Sequence, residues 1–400
     1  IHMTEVYSEG NEDNFLRDVY HTAEKRTEIT LDLLKNYEWD FFIVNYDCVD
    51  EVQHWFWHYM DSRKNNLNYQ KVKKHEKAIL KIYQKMDEIL KKFLRNLDEK
   101  TAVMIVSDHG FGPQYGLIHL NNWLMNLGLL KLKKNLSTKV KFWLFKHGFS
   151  PQSLYNLVTK LNLQSLISRR GTGKRERARS VLKKLFLSFS NVDWSKSKAY
   201  SFGMSGAIFI NLRGREPQGI VEREEYEKIR DFIIKESRKL KNPETKEKII
   251  RRVIKKEEIY SGPCVDMAPD LLIVPMETYS AFGDFEFFSH SLVSPAPQTG
   301  FHRMNGVFIL KGEGVKRKKT LNNINIIDVV PTILKVMKLP IPSDVDGKVP
   351  IEAFEPSYLK LHPILYETVD SSRKPSSTFK WTKEDEKKVK NRLKALGYLG

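Results

Sequence analysis

The sequence predicts an α/β protein built on a parallel sheet. Two apolar runs and the segment between them carry that expectation. The run Ala102-Val103-Met104-Ile105-Val106 is short and unbroken, as in a strand buried on both faces. The run Trp39-Asp40-Phe41-Phe42-Ile43-Val44-Asn45-Tyr46 is a second buried-strand candidate. Between them, residues 70–98 repeat apolar groups at helical spacing (Val72, Ala78, Ile79, Ile82, Met86, Ile89, Phe93), with lysines on the other face. Strand, helix and strand in that order make a right-handed crossover joining parallel strands.

The other elements follow in order. Residues 15–37 form an amphipathic helix, with Phe15, Leu16, Val19, Ala23, Leu33 and Leu34 on its apolar side. A helix starts near Asp50, and a short one opens at Leu120-Asn121-Asn122-Trp123-Leu124. Residues 128–187 are read as a basic helical insertion. Strands resume at 207–212, a charged helix covers 222–241, and further strands cover 268–275 and 306–310. Asn325 to Leu339 is a helix whose Pro331 belongs in the first turn or at a kink. Thr382-Lys383-Glu384-Asp385 resembles a capping box and starts a basic helix that Gly397 can end. The expected organisation is a first part of the α/β core at 1–127, the insertion at 128–187, a second core part at 188–350 and a tail with a short helix at 351–400.

Composition narrows the class. Four hundred residues, 41% of them hydrophobic, suffice for a large core. No apolar run approaches the ~18 residues of a membrane span. The polar, acidic N-terminal stretch does not read as a signal peptide. Two cysteines, Cys48 and Cys264, argue against a disulfide framework and for a reducing, cytoplasmic setting. The net charge is +18, and the segment 131–184 holds fifteen Lys or Arg against the single acid Glu176. That +14 suits nucleic acid, an anionic surface or a polyanionic substrate, and it equally suits a solvated helix pair. No nucleic-acid module signature accompanies it.

The chemistry gathers where strands end. After Val106 come Ser107-Asp108-His109-Gly110, and after Tyr46 come Asp47-Cys48-Val49-Asp50, with His54 four residues beyond Asp50. Ligands collect at the carboxyl ends of strands in open α/β sheets. Asp and His together form an oxygen and nitrogen ligand set for zinc or manganese. On a helix, Asp50 and His54 share one face. Asp47 is a rival ligand, and His58 lies one further turn along. The alternative is an Asp cap and a surface histidine. His302, in Gln298-Thr299-Gly300-Phe301-His302-Arg303, is a fifth candidate ligand, or an ordinary loop histidine.

These motifs, in this order, resemble the alkaline phosphatase superfamily, in particular its type I phosphodiesterase and nucleotide pyrophosphatase branch. The matching stretches are Asp50-x-x-x-His54 followed by Trp55-Phe56-Trp57, Ser107-Asp108-His109-Gly110-Phe111-Gly112, Gly300-Phe301-His302-Arg303 with Gly306, and Asp328-Val329-Val330-Pro331-Thr332 leading to Asp344-Val345-Asp346-Gly347. The resemblance covers about residues 15–350. It implies a mixed, largely parallel sheet between helical layers. It implies two divalent ions, zinc first and manganese second, with Asp108 and His109 on one and Asp50, His54 and His302 on the other. Paired metals clamp the attacking and leaving oxygens of phosphoryl transfer. The implied activity is hydrolysis of phosphodiesters or nucleotide pyrophosphates. A phosphomonoesterase, sulfatase or phosphomutase on the same scaffold, or a non-catalytic metal- or polyanion-binding protein, are the competing readings.

The family also places a first metal-binding Asp, and then a nucleophilic Thr or Ser, well over a hundred residues before the Asp50 motif. Only forty-nine residues precede Asp50, and none matches. The expectation is a C-terminal portion of a longer protein, with no catalytic nucleophile assigned in 1–400 and little turnover by itself.

Overall fold

The computed structural model describes residues 7–8, 10–61, 69–160, 185–203, 206–283, 287–322 and 324–368. The basic loop Arg169–Arg175 and the predicted helix starting at Thr382 lie outside the described residues.

Among the described residues the α-helices in chain order are α1 (Glu12–Asn36), α2 (Cys48–Met60), α3 (Tyr69–His75), α4 (Ala78–Leu94), α5 (Leu120–Asn126), α6 (Leu136–Lys146), α7 (Pro151–Lys160), α8 (Arg223–Ser237), α9 (Val329–Val336) and α10 (Pro356–Leu361). The strands are β1 (Val103–Val106), β2 (Gly110–Pro113), β3 (Gly116–His119), β4 (Ala199–Ser201), β5 (Ala207–Ile210), β6 (Ile250–Lys255), β7 (Leu271–Pro275), β8 (Tyr279–Phe282), β9 (Val293–Pro295), β10 (Gly300–Arg303), β11 (Phe308–Lys311), β12 (Ile341–Pro342) and β13 (Tyr366–Glu367). The chain divides into two compact units, Ile1–Leu97 with His109–Gly306, and Asp98–Asp108 with Val307–Gly400.

The first unit has two apolar cores. One packs α1, α2 and α4 through Phe15, Val19, Val52, Phe56, Ile82 and Ile89. The other surrounds the sheet β4-β5-β7-β6, with Ile208, Ile210, Leu271 and Ile273 from the strands and Ile229 and Ile233 from α8. All three pairings in that sheet are antiparallel. A second sheet sets β3 parallel to β8 and antiparallel to β9. β2 and β10 form an antiparallel ribbon, Gly110 opposite Arg303 and Phe111 opposite His302. Leu130, Phe145 and Leu187, from the segment expected to be an insertion, belong to the second core.

In the second unit β1 pairs antiparallel with β11, Val103 opposite Lys311. Ile341, Val349, Phe354 and Tyr358 form its core. α9 follows a 3-10 turn at Ile326–Asp328 and carries Pro331 in its first turn, where the missing N–H costs nothing.

The architecture is mixed α/β with several small sheets. A largely parallel sheet is not present among the described residues. The two apolar runs behave differently from expectation. β1 is a strand, but among the described residues its partner is the antiparallel β11, and Val106 is 42% exposed. Residues 41–47 have no regular structure, and Ile43 is 79% exposed. The run 70–98 is two helices, broken at Glu76 and Lys77. An apolar run states that side chains favour burial; it does not name the strand that receives its N–H and C=O groups.

Candidate metal centre

The centre starts from α2. Cys48, Val52, Phe56 and Tyr59 turn one face of this helix into the first core. That fixes the helix's rotation, and Asp50 and His54, one turn apart, lie on another face. The helix contributes a buried imidazole at His54 and a half-buried carboxylate at Asp50. The rival ligand Asp47 is occupied elsewhere: Arg26 Nη1 lies 3.1 Å from its Oδ1, and Asn45 donates to the same oxygen. It makes no cap bond to α2. His58 Nδ1 lies 2.9 Å from Thr299 Oγ1, facing the segment that leads into β10.

The ribbon β2–β10 brings in two further imidazoles from distant parts of the sequence. A Cβ on Gly300 would stand 2.2 Å from the Gln53 carbonyl oxygen, so only glycine lets β10 come this close to α2. The approach places the Gly300 carbonyl 2.9 Å from His54 Nδ1, which must donate to it. His54 Nε2 is then left with its lone pair. His109 shows the same arrangement, with Nδ1 3.1 Å from the Gly110 carbonyl. A backbone carbonyl that fixes a histidine tautomer in this way is a common support for metal ligation. Arg303 braces the ribbon by donating to the carbonyls of His302, Pro113 and Glu277. Gly112 makes room for it: a Cβ there would fall 2.5 Å from Arg303 Nε.

Around Asp50, His54 Nε2 lies 3.5 Å from Oδ2, His302 Nε2 3.4 Å from Oδ1, and His109 Nε2 3.6 Å from Oδ1. The Nε2 atoms of His54 and His302 are 3.1 Å apart. The rings of His109 and His302 stack, with centroids 3.6 Å apart. Phe111 packs against His54, His109 and His302. Asp50 Oδ1 is buried and has no hydrogen-bond partner. Burial pushes the Asp50 pKa up, but His302, with the charges of His54 and His109, outweighs it and holds the carboxyl below its ordinary value. Burial also pushes His54 below the usual imidazole range, against the pull of Asp50.

These residues fit a divalent ion. Ligands about 2.0–2.1 Å from a tetrahedral zinc lie about 3.3–3.4 Å from one another. Asp50, His54 and His302 offer one donor atom each, all within 4.8 Å of one another; the two Nε2 atoms are 3.1 Å apart and face different Asp50 oxygens, His302 at 3.4 Å and His54 at 3.5 Å. A buried carboxylate oxygen without a donor is the kind of atom a cation satisfies. Of the five residues expected from the sequence, Asp50, His54, His109 and His302 come together. Asp108 is exposed and is the last residue of the second unit's first segment. Sequence reasoning missed the supports: the Gly300 carbonyl, Thr299 and Arg303. The glycine framing His302 was the available signal.

Gly300→Ala should therefore cost about 1–3 kcal/mol of stability through overpacking. It should also weaken divalent-metal binding by breaking the His54–Gly300 contact. Thermal melts and a zinc titration test this, and an unchanged zinc affinity would show that the close approach does not position His54.

No curated protein and no solved structure shows a significant match to this chain. One family does match, over residues 4–287, more than half of the length. That match ends before β10, so the part played by His302 rests on the geometry. The matching family is described as type I phosphodiesterase / nucleotide pyrophosphatase, and the chain belongs to it and thereby to the alkaline phosphatase superfamily.

Proposed function

We propose that this protein acts as a divalent-metal-dependent phosphodiesterase or nucleotide pyrophosphatase. The observation that carries the reading is the buried, donor-less Asp50 Oδ1 faced by the Nε2 atoms of His302 and His109, in a member of a phosphate-ester hydrolase family. In this reading Asp50, His54 and His302 hold one ion, zinc by preference for their nitrogen-rich set. His109 is a ligand of a second ion; Asp108, its neighbour in sequence, is paired with it by the family resemblance alone.

An ion held there supplies positive charge to the oxygens of a phosphate ester. The chain's own residues prepare the place. Asp50 contributes negative charge that favours cation binding. The Gly300 carbonyl keeps His54 in the tautomer that presents Nε2. The rings of Phe111 and Phe301 cover His54 on its flanks and lower the local dielectric, which strengthens each charge interaction. No Thr or Ser of 1–400 is assigned as a nucleophile, so the expected rate is low and its metal dependence is what matters.

The test compares a nitrophenyl phosphodiester, a phosphomonoester and a sulfate ester, before and after EDTA and after readdition of zinc or manganese. The expected result is turnover favouring the diester, lost with EDTA, restored by metal and lost in His54→Ala. Turnover indifferent to EDTA or to His54→Ala would overturn the reading, and preference for the monoester or the sulfate would reassign the substrate class.

A further inference from the structure

Among the described residues, α6 is anchored through one face. Phe145 is buried in the second core against Phe287, and Thr138 receives a hydrogen bond from Asn191. The Asn135 side chain caps the helix at Thr138 N. The opposite face carries Leu136, Val140 and Trp143, spaced i, i+4 and i+7, which form one stripe. They are 78%, 49% and 59% exposed. Three large apolar side chains aligned on one exposed helix face are more than the scattered apolar residues of an ordinary surface.

Lysines border the stripe along one flank and precede it in the chain. Lys139 and Lys146 border it on the helix, and Lys133 and Lys134 are exposed just before it. Residues 128–160 contain seven lysines and no Asp or Glu. A short helix with a Trp among aliphatic residues on one face and lysines along its border is suited to the headgroup region of a bilayer. The indole favours that boundary, and lysine stems can lie along the apolar layer with their ammonium groups at the phosphates.

We infer that the α6 face, through Leu136, Val140 and Trp143 with their lysine border, docks this protein onto a membrane surface rich in anionic lipid. Nucleic acid would use the lysines and Trp143, but it gives Leu136 and Val140 no role. A second copy of the chain would bring the same positive charges face to face. The anionic bilayer uses both the stripe and the charge.

The experiment uses residues 1–400 and sedimentation with vesicles of phosphatidylserine and phosphatidylcholine in equal parts, with pure phosphatidylcholine as the control. The expected result is binding to the anionic vesicles and much less to the neutral ones. The variant Leu136→Ser/Val140→Ser/Trp143→Ser leaves every charge in place and should bind about tenfold or more weakly. Its melting curve should match the parent's, because all three side chains are exposed. Equal vesicle binding by the variant would assign the effect to charge elsewhere and overturn the inference. Absence of vesicle binding by the parent would do the same. So would a stripe-dependent dimer by light scattering, or stripe-dependent binding of single-stranded RNA, without vesicle binding. Should the triple variant melt early, Trp143→Phe gives a second readout. Brominated lipid in the anionic vesicles should quench the parent's tryptophan emission more than that of Trp143→Phe. Equal quenching would place Trp143 outside the bilayer and overturn the inference.

Discussion

Asp50→Asn should weaken zinc binding by more than about 100-fold, beyond the 10–100-fold typical of losing a supporting group around a metal. The substitution keeps the shape and removes the only carboxylate in the Asp50, His54, His302 group. It also removes the negative charge that sets the cluster's electrostatics, to which the buried Oδ1 contributes. His54→Ala should have a comparable effect, because it removes the one imidazole shielded from water on α2. Asp47→Asn is the control. Asp47 lies three residues away and carries the same charge, but it pairs with Arg26. Its loss should leave zinc affinity unchanged. Calorimetric titration of zinc, or of cobalt(II) followed by its visible spectrum, measures all three. Equal affinity in the Asp50→Asn protein would remove the metal centre from this place.

The second large effect concerns stability. Asp270 is fully buried and accepts two bonds from Arg215, at 2.7 and 2.6 Å, one from the Tyr226 hydroxyl at 2.5 Å and one from the Ile210 amide at 2.6 Å. It thereby joins β5, the turn after it and α8. Asp270→Ala leaves the Arg215 guanidinium, the phenol and an amide without their acceptor. Breaking such a pair from one side costs about 3–5 kcal/mol, which urea unfolding can measure. Replacing both partners, as Asp270→Leu with Arg215→Met, should recover part of that loss, because the guanidinium leaves with its acceptor, while Lys256, 3.6 Å from Asp270 Oδ1, keeps Asp266 at 3.4 Å.

The same carboxylate gives a pH signature. Burial alone would raise its pKa, but Arg215, Tyr226 and the Ile210 amide together hold it below the ordinary value. A depressed folded-state pKa gives stability that is present above the unfolded value of about 4 and lost as pH falls through the folded value. The parent should therefore lose stability on acidification below pH about 4, and Asp270→Ala should lose less over that window. An identical acid slope in both proteins would show that Asp270 is not the group responsible.

Local periodicity carried a good part of the candidate site. Asp50 and His54 share a face because they are four residues apart on a helix whose apolar positions, Val52 and Phe56, set its rotation. Both facts are local, and both are visible in the residue order. The spacing to His54 and the family motif chose Asp50, but the reason Asp47 is engaged elsewhere was not visible. It depends on Arg26, twenty-one residues before Asp47 and on another helix, which takes Asp47 for itself. The burial of the apolar run after Pro269 and the helix at Arg223–Ser237 were legible for the same local reason.

Strand direction was not legible. Val103–Val106 and Leu271–Pro275 have the composition of strands in parallel sheets, and each has antiparallel partners. Side-chain burial is a property of the strand itself. Direction belongs to the pair, and the partner of Val103 lies about two hundred residues along the chain at Lys311. Phe41 to Tyr46 shows the same limit from the other side: a strand-like run that has no regular structure.

By itself the sequence determined that this is an α/β chain with Asp and His at particular turns, because helix periodicity and turn chemistry act over a few residues. The family resemblance implied that His302 joins Asp50 and His54; only the tertiary structure decided how it meets them. That meeting needs β10 to pair with β2 in one register and Gly300 to lie against Gln53. Pairings across such separations are set by the packing of the whole unit, and no local pattern of residues encodes them.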